Sequence, residues 1–120
     1  MAQHNETGKA GEVHAESYLK GIGYHILERN HRKPWGEIDL IALAPDATLV
    51  FVEVKTMSAG AGDLRPEHNM TRFKTMKTRR ASLHYANANE ALAKRGWRID
   101  LVAVEIRNDD QLDIRHHENI

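Results

Sequence analysis

Near its start the chain carries apolar residues at helical spacing, and a short strand pattern follows. The apolar positions recur at i, i+4, i+7, i+8 and i+11, and they are Gly11, Ala15, Tyr18, Leu19 and Ile22. Thr7 is suited to cap this helix, and Gly21 and Gly23 are suited to end it. We therefore predict an amphipathic helix, then a strand at Tyr24–Arg29 and a polar turn through Asn30–Trp35.

Two apolar runs in the middle of the chain have the length of strands. Ile38–Ala44 and Leu49–Val54 are joined by the turn-forming residues 45–47, which predicts an antiparallel hairpin. Both runs are apolar on both faces apart from a few charges, and this is typical of strands inside a covered sheet. The few charged residues within these runs are therefore unexpected in buried strands, and their presence there needs a chemical explanation.

The second half of the chain predicts a crossover back to the same sheet. Ser58–Asp63 reads as a loop of small residues, and a helix-forming composition runs from about Glu67 to Lys94, with Gly96 as its stop. Trp97–Ile106 is a strand pattern that the long helix separates from the hairpin, so we expect it to pair in parallel. A last short strand near Leu112–Arg115 completes the order α-β-β-β-α-β-β, which predicts an α/β fold.

Composition narrows the class of protein. The 120 residues include 17 basic and 17 acidic side chains, 41% hydrophobic residues and no cysteine. These values are typical of a soluble globular protein with one core, so we predict a single domain over residues 1–120. The lack of cysteine excludes disulfides, thiolate metal sites and a cysteine nucleophile. No segment has the apolar length of a membrane span and the first residues lack a secretory pattern, so we expect a cytoplasmic protein with no membrane partner.

The charged residues of the hairpin fall on shared faces. Side chains alternate along a strand, so Glu37 and Asp39 share one face of the first arm. A hairpin symmetric about Asp46 places Asp39 opposite Glu53. The same register places Glu37 opposite Lys55 on that face. We therefore predict a small charged cluster within an otherwise apolar hairpin.

The opposed carboxylates of Asp39 and Glu53 need a compensating charge, because they repel each other and lose hydration in a half-buried sheet. Mg²⁺ or Mn²⁺ would supply it, since such hard cations take carboxylate oxygens and keep several waters. Lys55 could orient one of those waters, and these three groups together are suited to phosphodiester hydrolysis. Glu12 borders the apolar stripe of the first helix and could reach over the sheet edge. The alternative is a salt bridge of Glu53 with Lys55 and a turn capped by Asp39.

The same residues resemble a known nuclease motif. Asp39…Glu53-Val54-Lys55 is similar to the PD-(D/E)xK motif of restriction-endonuclease-like nucleases, whose core has the order α-β-β-β-α-β. Further blocks resemble the YraN family, and these are Gly8-x-x-Gly11-Glu12, Asn30, Gly36-Glu37-Ile38-Asp39-Leu40-Ile41, Phe51-Val52-Glu53-Val54-Lys55-Thr56 and Arg98-Ile99-Asp100-Leu101-Val102. Members of that family are bacterial proteins predicted to be nucleases, similar in plan to archaeal Holliday-junction resolvases. The resemblance runs from about Gly8 to Val104.

This resemblance implies a restriction-endonuclease-like α/β fold with a mixed central sheet flanked by helices. It also implies that Asp39 and Glu53 hold Mg²⁺ or Mn²⁺ and that Lys55 is catalytic. Glu12 would be the helix-borne acid, both catalytic and metal-binding. The chain departs from the family at Met57, where an arginine is usual, and this puts substrate affinity in question more than metal binding. Resolvase-like relatives pair as dimers, which leaves a homodimer open.

A local basic surface is predicted on the second helix. Its candidate nucleic-acid-binding residues are Arg72, Lys74, Lys77 and Arg80. Lys74, Lys77 and Arg80 project from neighbouring turns of one helix side. Because the net charge is zero, any contact with phosphates has to come from such a local surface, and we expect DNA rather than RNA as its partner. The alternative is a solvated helix face.

Several residues support either the site or only the fold. Glu37 neighbours the predicted ligands, while Arg98 and Asp100 share a face of the late strand and form either a structural ion pair or a support for the site. Trp35 is either part of the core or a base-stacking platform. The eight histidines include no pair spaced by two, three or four residues, so we expect none of them to bind metal.

Three functions therefore remain open. The first is a Mg²⁺- or Mn²⁺-dependent endonuclease that acts on DNA, branched or single-stranded. The second is a catalytically inactive nucleic-acid-binding module that keeps the nuclease fold, which Met57 and the neutral charge favour. The third is a structural protein whose hairpin charges pair only with Arg98 or Lys55.

Overall fold

Two helices and five strands make up the described chain. The computed structural model describes residues 2–58, 72–109 and 111–120. Its elements are α1 (Ala2–Gly21), β1 (His25–Lys33), β2 (Gly36–Leu43), β3 (Leu49–Ser58), α2 (Arg72–Ala88), β4 (Trp97–Ile106) and β5 (Leu112–His117). The order is the predicted one, and the mixed α/β class is confirmed. All of the predicted Ser58–Asp63 loop except Ser58, and the predicted helix start at Glu67, lie outside the described residues.

The strands form one mixed sheet in the order β1-β2-β3-β4-β5. β2 and β3 are antiparallel, and Ile41 pairs with Phe51 in the register that symmetry about Asp46 predicts. β3 and β4 run parallel, as the crossover predicts, with Phe51 beside Ile99. β1 and β5 are antiparallel to their neighbours and form the two edges of the sheet.

Each helix covers one face of the sheet, because side chains alternate along β3. On one face, Ala15 and Leu19 of α1 pack with a cluster that includes Val50 and Val52. On the other face, the cluster around Phe51 includes Ala81 and Ala86 of α2. The central strands are thus buried on both faces, which explains why their sequences are nearly continuous apolar runs.

Two glycines allow the helices to approach the sheet closely. A Cβ at Gly11 of α1 would collide with the side chain of Thr56, so the helix backbone rests directly on the end of β3. A Cβ at Gly36 would lie 2.6 Å from the carbonyl oxygen of Lys77, so the start of β2 is similarly close to α2. Both contacts fix the helices near the charged end of the hairpin.

The helices begin and end differently from the prediction. α1 begins at Ala2, so Thr7 lies inside the helix and is not its cap. Residues 2–6 contain neither glycine nor proline, and nothing in them stops the helix. α2 ends at Ala88, well before Gly96, because the side-chain amide of Asn89 donates to the carbonyl oxygen of Tyr85 at 2.9 Å.

The edge strands are longer than predicted. β1 continues to Lys33, so the predicted turn through Asn30–Trp35 shortens to Pro34 and Trp35. Backbone pairing with β2 outweighs the polar composition of this segment, and His31 still pairs with Ile38. β5 likewise extends past Arg115. Within the described residues, no helix is long and apolar enough to cross a membrane.

Candidate active site

The paired part of the β2–β3 hairpin ends where the charged residues begin. The last ladder pair is Leu40 with Val52. Beyond it, Oδ2 of Asp39 accepts a hydrogen bond of 2.8 Å from the backbone N–H of Val54. The ladder pairs predicted for Asp39 with Glu53, and for Glu37 with Lys55, therefore do not form, because a carboxylate takes a backbone donor that the ladder would otherwise use.

Glu53 is a buried carboxylate at the junction of the sheet and α2. The residue is only 1% exposed. Oε2 of Glu53 accepts a hydrogen bond of 3.1 Å from the hydroxyl of Thr78, a buried residue of α2. Burying a carboxylate is costly unless hydrogen bonds or a cation stabilise its charge. Glu53 is one of two buried carboxylates in the described part of the sheet, with Asp100 of β4.

Lys55 follows Glu53 on the same face of β3. The two residues are separated by one pleat repeat, roughly 7 Å along the strand. Lys55 is partly buried, whereas Ser58 at the strand end is exposed. Lys55 therefore lies on the face of β3 that carries the buried carboxylate, at the point where the strand leaves the core.

Glu12 of α1 faces the same end of the sheet. Partial burial raises the pKa of its carboxyl, and the negative charges of Glu37 and Glu53 raise it further. The positive charges of Arg32 and Lys9 oppose this increase. Glu12 thus lies within electrostatic range of Glu53, although the two residues belong to different layers of the fold.

A cleft of about 440 Å³ opens beside Glu12, between α1 and β1. Its walls include Glu16, Arg29, Asn30 and Leu40. Glu16 and Arg29 form two hydrogen bonds of 2.6 Å across the cleft, and Lys20 adds an ion pair of 2.9 Å to Glu16. These hydrogen bonds lower the pKa of Glu16 to about 2. Sequence reasoning missed this pair, because its two residues are distant in the chain.

The carboxylates suit a hard divalent cation. Among the residues that the structure describes, no three His, Asp or Glu side chains form a group able to hold a metal ion. Mg²⁺, however, is commonly held by one or two carboxylates, with water completing its coordination. Asp39 and Glu53 offer such a pair at the end of the ladder, and the charge of Glu53 reaches Glu12. These carboxylate oxygens are of the ligand type that Mg²⁺ and Mn²⁺ prefer.

Glu37 contacts the first strand. It pairs with Arg32 of β1 in the ladder, and Arg32 Nε lies 3.7 Å from Glu37 Oε2. Both side chains are largely exposed. Glu37 still contributes to the site, since its charge raises the pKa of Glu12.

Arg98 and Asp100 lie away from the site. Asp100 is in register with Val52, whose side chain faces α1, whereas Glu53 faces α2. Asp100 is fully buried and accepts hydrogen bonds from Arg98 at 2.9 Å and from the backbone N–H of Asn119 at 3.0 Å. The structural ion pair, one of the two predicted roles of these residues, is therefore confirmed, and strand alternation places it on the face opposite Glu53. Their support of the metal ligands stays a prediction.

The basic residues of α2 are only partly described. Lys77 and Arg80 are exposed on the helix that also carries Thr78. Arg72 and Lys74 belong to the same helix, and their side chains lie outside the described part of the structure. The exposed cations therefore occur within one turn of the residue that contacts Glu53.

The two helices and the mixed sheet define an α/β protein whose elements follow the order of a restriction-endonuclease-like core. Residues 11–104 match the model of the Uncharacterised protein family UPF0102. The chain is 41% identical over 114 residues to a UPF0102 protein of Alkaliphilus oremlandii, covering 93% of this chain and 94% of that protein. It is 33% identical over 118 residues to a UPF0102 protein of Desulforamulus reducens, covering 98% and 96% respectively. The chain belongs to the Uncharacterised protein family UPF0102, the YraN family that its sequence blocks resemble.

Proposed function

We propose that this protein is a Mg²⁺- or Mn²⁺-dependent endonuclease that hydrolyses phosphodiester bonds in DNA, branched or single-stranded. The observation that carries the proposal is the junction at which the β2–β3 ladder ends. Asp39 there hydrogen-bonds to β3, and the buried Glu53 and then Lys55 follow on β3 itself. In the third possibility, a purely structural role, the buried Glu53 would serve only the packing of α2 on β3, as Asp100 serves the fold on the opposite face.

Each side chain has a role in this proposal. Asp39 and Glu53 would hold the ion, with Glu12 as a further ligand. When bound, the ion would polarise the scissile phosphate and the attacking water. The ammonium of Lys55 would orient that water and stabilise the negative charge that develops on the phosphate oxygens. Thr78 fixes the orientation of Glu53 through its hydroxyl.

The nucleic acid would lie across α2 and the end of β3. The exposed Lys77 and Arg80 supply positive charge beside Thr78, and phosphate contacts of this kind position a strand without reading its sequence. Because the net charge of the chain is zero, we expect binding to depend on these few cations and to weaken steeply with salt. A homodimer and a cytoplasmic location remain predictions.

A catalytically inactive nucleic-acid-binding module is the second candidate. Met57 stands where the related proteins usually have an arginine, and it is partly buried beside Glu105 of β4. A methionine cannot make the charged phosphate contact that a guanidinium makes. Loss of a phosphate contact two residues after Lys55 would misplace the scissile phosphate, and this is what favours an inactive module that keeps the fold.

A cleavage assay with matched variants separates these candidates. Labelled single-stranded, duplex, flapped and four-way-junction DNA, with single-stranded RNA, would be incubated in Mg²⁺, Mn²⁺ and EDTA. Lys55→Ala tests the site, and Lys94→Ala, an exposed lysine in the turn after α2, is the matched control. Cleavage that requires metal and disappears only in Lys55→Ala would support the nuclease.

The contrary results are equally specific. Binding in a gel shift without cleavage in any metal would favour the inactive module. Cleavage that persists in Lys55→Ala would indicate a contaminating enzyme. Calorimetric titration with Mn²⁺ adds a readout without substrate, in which Asp39→Asn should weaken binding at least tenfold. Unchanged Mn²⁺ affinity in that variant would remove Asp39 from the metal ligands.

A further inference from the structure

A second pocket, of about 420 Å³, lies between β1 and the end of α2, and four of its eight lining residues carry rings. The rings of Trp35 and His84 contact each other in a tilted arrangement, with centroids 4.9 Å apart and planes inclined by 40°. The rings of His31 and Tyr85 meet edge to face, with centroids 5.2 Å apart. Two aromatic pairs from different elements therefore face one opening.

Trp35 is not a core residue. It is 40% exposed, and the hydrophobic cluster beneath α2 contains the other tryptophan, Trp97, instead. His84 is itself exposed, so the tilted pair presents ring surface to the solvent. Exposed aromatic surface in a pocket is typical of a binding site.

The polar groups of this pocket complement a nucleotide. Lys33 is exposed at the rim and carries the positive charge that a phosphate requires. Glu28, the acidic lining residue, is hydrogen-bonded to the ring of His31 at 2.8 Å. Asn89 also lines the pocket, and its side-chain amide N–H is hydrogen-bonded to the carbonyl oxygen of Tyr85. Rings for a base and a cation for its phosphate thus occur together.

The pocket also lies close to the candidate active site. Tyr85 packs edge to face on Phe51, two residues before Glu53 on the same face of β3. Along α2, the seven residues from Thr78 to Tyr85 span roughly 10 Å. A strand whose phosphate reaches Glu53 could therefore place a neighbouring base in the pocket.

We infer that the pocket between Trp35, His84, His31 and Tyr85 binds an unpaired nucleotide of a single-stranded DNA segment, with its base on the rings and its phosphate near Lys33. This inference rests on the proposed function for the choice of DNA. It adds that the substrate is unpaired at the bound nucleotide. Bases in a duplex are already stacked on both faces, so only an unpaired base can occupy such rings. The pocket would thereby favour flaps, gaps and single strands over intact duplex.

The test measures binding in EDTA, so that its result does not depend on cleavage. The probes are a ten-nucleotide oligothymidylate, an abasic ten-unit strand with the same phosphates, and thymidine monophosphate. In Trp97→Phe protein, Trp35 is the single tryptophan, and we expect oligothymidylate but not the abasic strand to quench its fluorescence. Trp35→Leu should bind oligothymidylate about five- to a hundredfold more weakly and the abasic strand unchanged.

Control variants separate stacking from folding. Trp35→Phe keeps a ring and should retain most of the affinity, while His84→Ala should lose part of it. Leu83→Ala alters the exposed neighbour of His84 on α2 and should behave as the wild type. Equal affinity of wild-type protein for the base-bearing and abasic strands, or no binding of either, would overturn the inference.

The remaining outcomes are also decisive. Thymidine monophosphate that binds as tightly as the oligonucleotide would assign the pocket to a free nucleotide and overturn the strand as its ligand. Base-dependent binding without any metal-dependent cleavage would support the pocket and contradict the proposed nuclease. Cleavage without any preference for base-bearing strands would contradict the pocket alone.

Discussion

The hydroxyl of Thr78 on α2 donates a hydrogen bond of 3.1 Å to Oε2 of Glu53 on β3. Thr78 is 2% exposed and Glu53 is 1% exposed, so the contact is shielded from water. A hydrogen bond to an ionised group in such surroundings is stronger than one at the surface. The position of α2 and the orientation of the candidate metal ligand are therefore coupled.

Removing this hydroxyl should affect both stability and the site. Thr78→Val keeps the shape of the side chain but leaves Glu53 with one donor fewer, so we expect the free energy of unfolding to fall by about 1–2 kcal/mol. Mn²⁺ affinity should fall roughly tenfold, as is usual when the partner of a ligand is lost. Urea unfolding and calorimetric titration measure the two effects. Thr78→Ser retains the hydroxyl and should keep the affinity, and a loss as large as that of the valine variant would contradict the role of the hydrogen bond.

The sequence was sufficient to predict the register of the hairpin but not its end. A short turn about Asp46 and two apolar arms leave few alternative pairings, and Ile41 does face Phe51. The hydrogen bond from the Val54 N–H to the carboxylate of Asp39 depends on how far the two strands separate. No local sequence pattern predicts that separation. The order of helices and strands was also predictable, because the hydrophobic periodicity of each segment reflects the faces that it buries.

Contacts between layers were the least predictable part of the site. Thr78 is a polar residue on the inner side of a helix, and nothing in its own segment indicates that it lies against Glu53. The face on which Asp100 lies followed from strand alternation, but its partners depend on residues that come much later in the chain. His116 and Asn119 bond to it from β5 and the segment after it.

Asp100 should be important for stability and not for the site. Burial raises the pKa of its carboxyl, but hydrogen bonds from His116, Arg98 and the Asn119 N–H outweigh that effect and lower the pKa. Asp100→Asn removes a fully buried charge opposite Arg98, so we expect the protein to lose about 3 kcal/mol of stability. Asp113→Asn, the same change at a more exposed aspartate, should cost less than about 1 kcal/mol. Chemical denaturation checks both values, and Mn²⁺ affinity of the folded Asp100→Asn protein should equal that of the wild type.

The ion pair of Glu16 with Arg29 gives a pH dependence of known sign. The pKa of Glu16 falls from its ordinary 4.5 to about 2, because Arg29 and Lys20 hydrogen-bond to its ionised form. Stability from this pair is therefore present above pH 4.5 and is lost as the pH falls toward 2. Glu16→Gln should be less stable than the wild type by about 0.5 kcal/mol at pH 7, a small value because the pair is near solvent. Thermal unfolding between pH 3 and 7 should show the difference shrinking at low pH, and a constant difference would contradict the assignment.

Glu12 should lower the stability of the metal-free protein and strengthen its binding of metal. Burial and the charges of Glu37 and Glu53 disfavour its ionised form, as the raised pKa indicates. Without metal at pH 7.5, Glu12→Gln should therefore raise the melting temperature by about 2 °C, a small gain because the side chain keeps part of its hydration. Mn²⁺ should stabilise the wild type more than this variant, because at equal concentration a ligand that binds the folded state more tightly stabilises it more. Glu90→Gln, an exposed change in the turn after α2, should alter neither value. An equal Mn²⁺-induced gain in the wild type and Glu12→Gln would leave Asp39 and Glu53 as the metal ligands and exclude Glu12 from them.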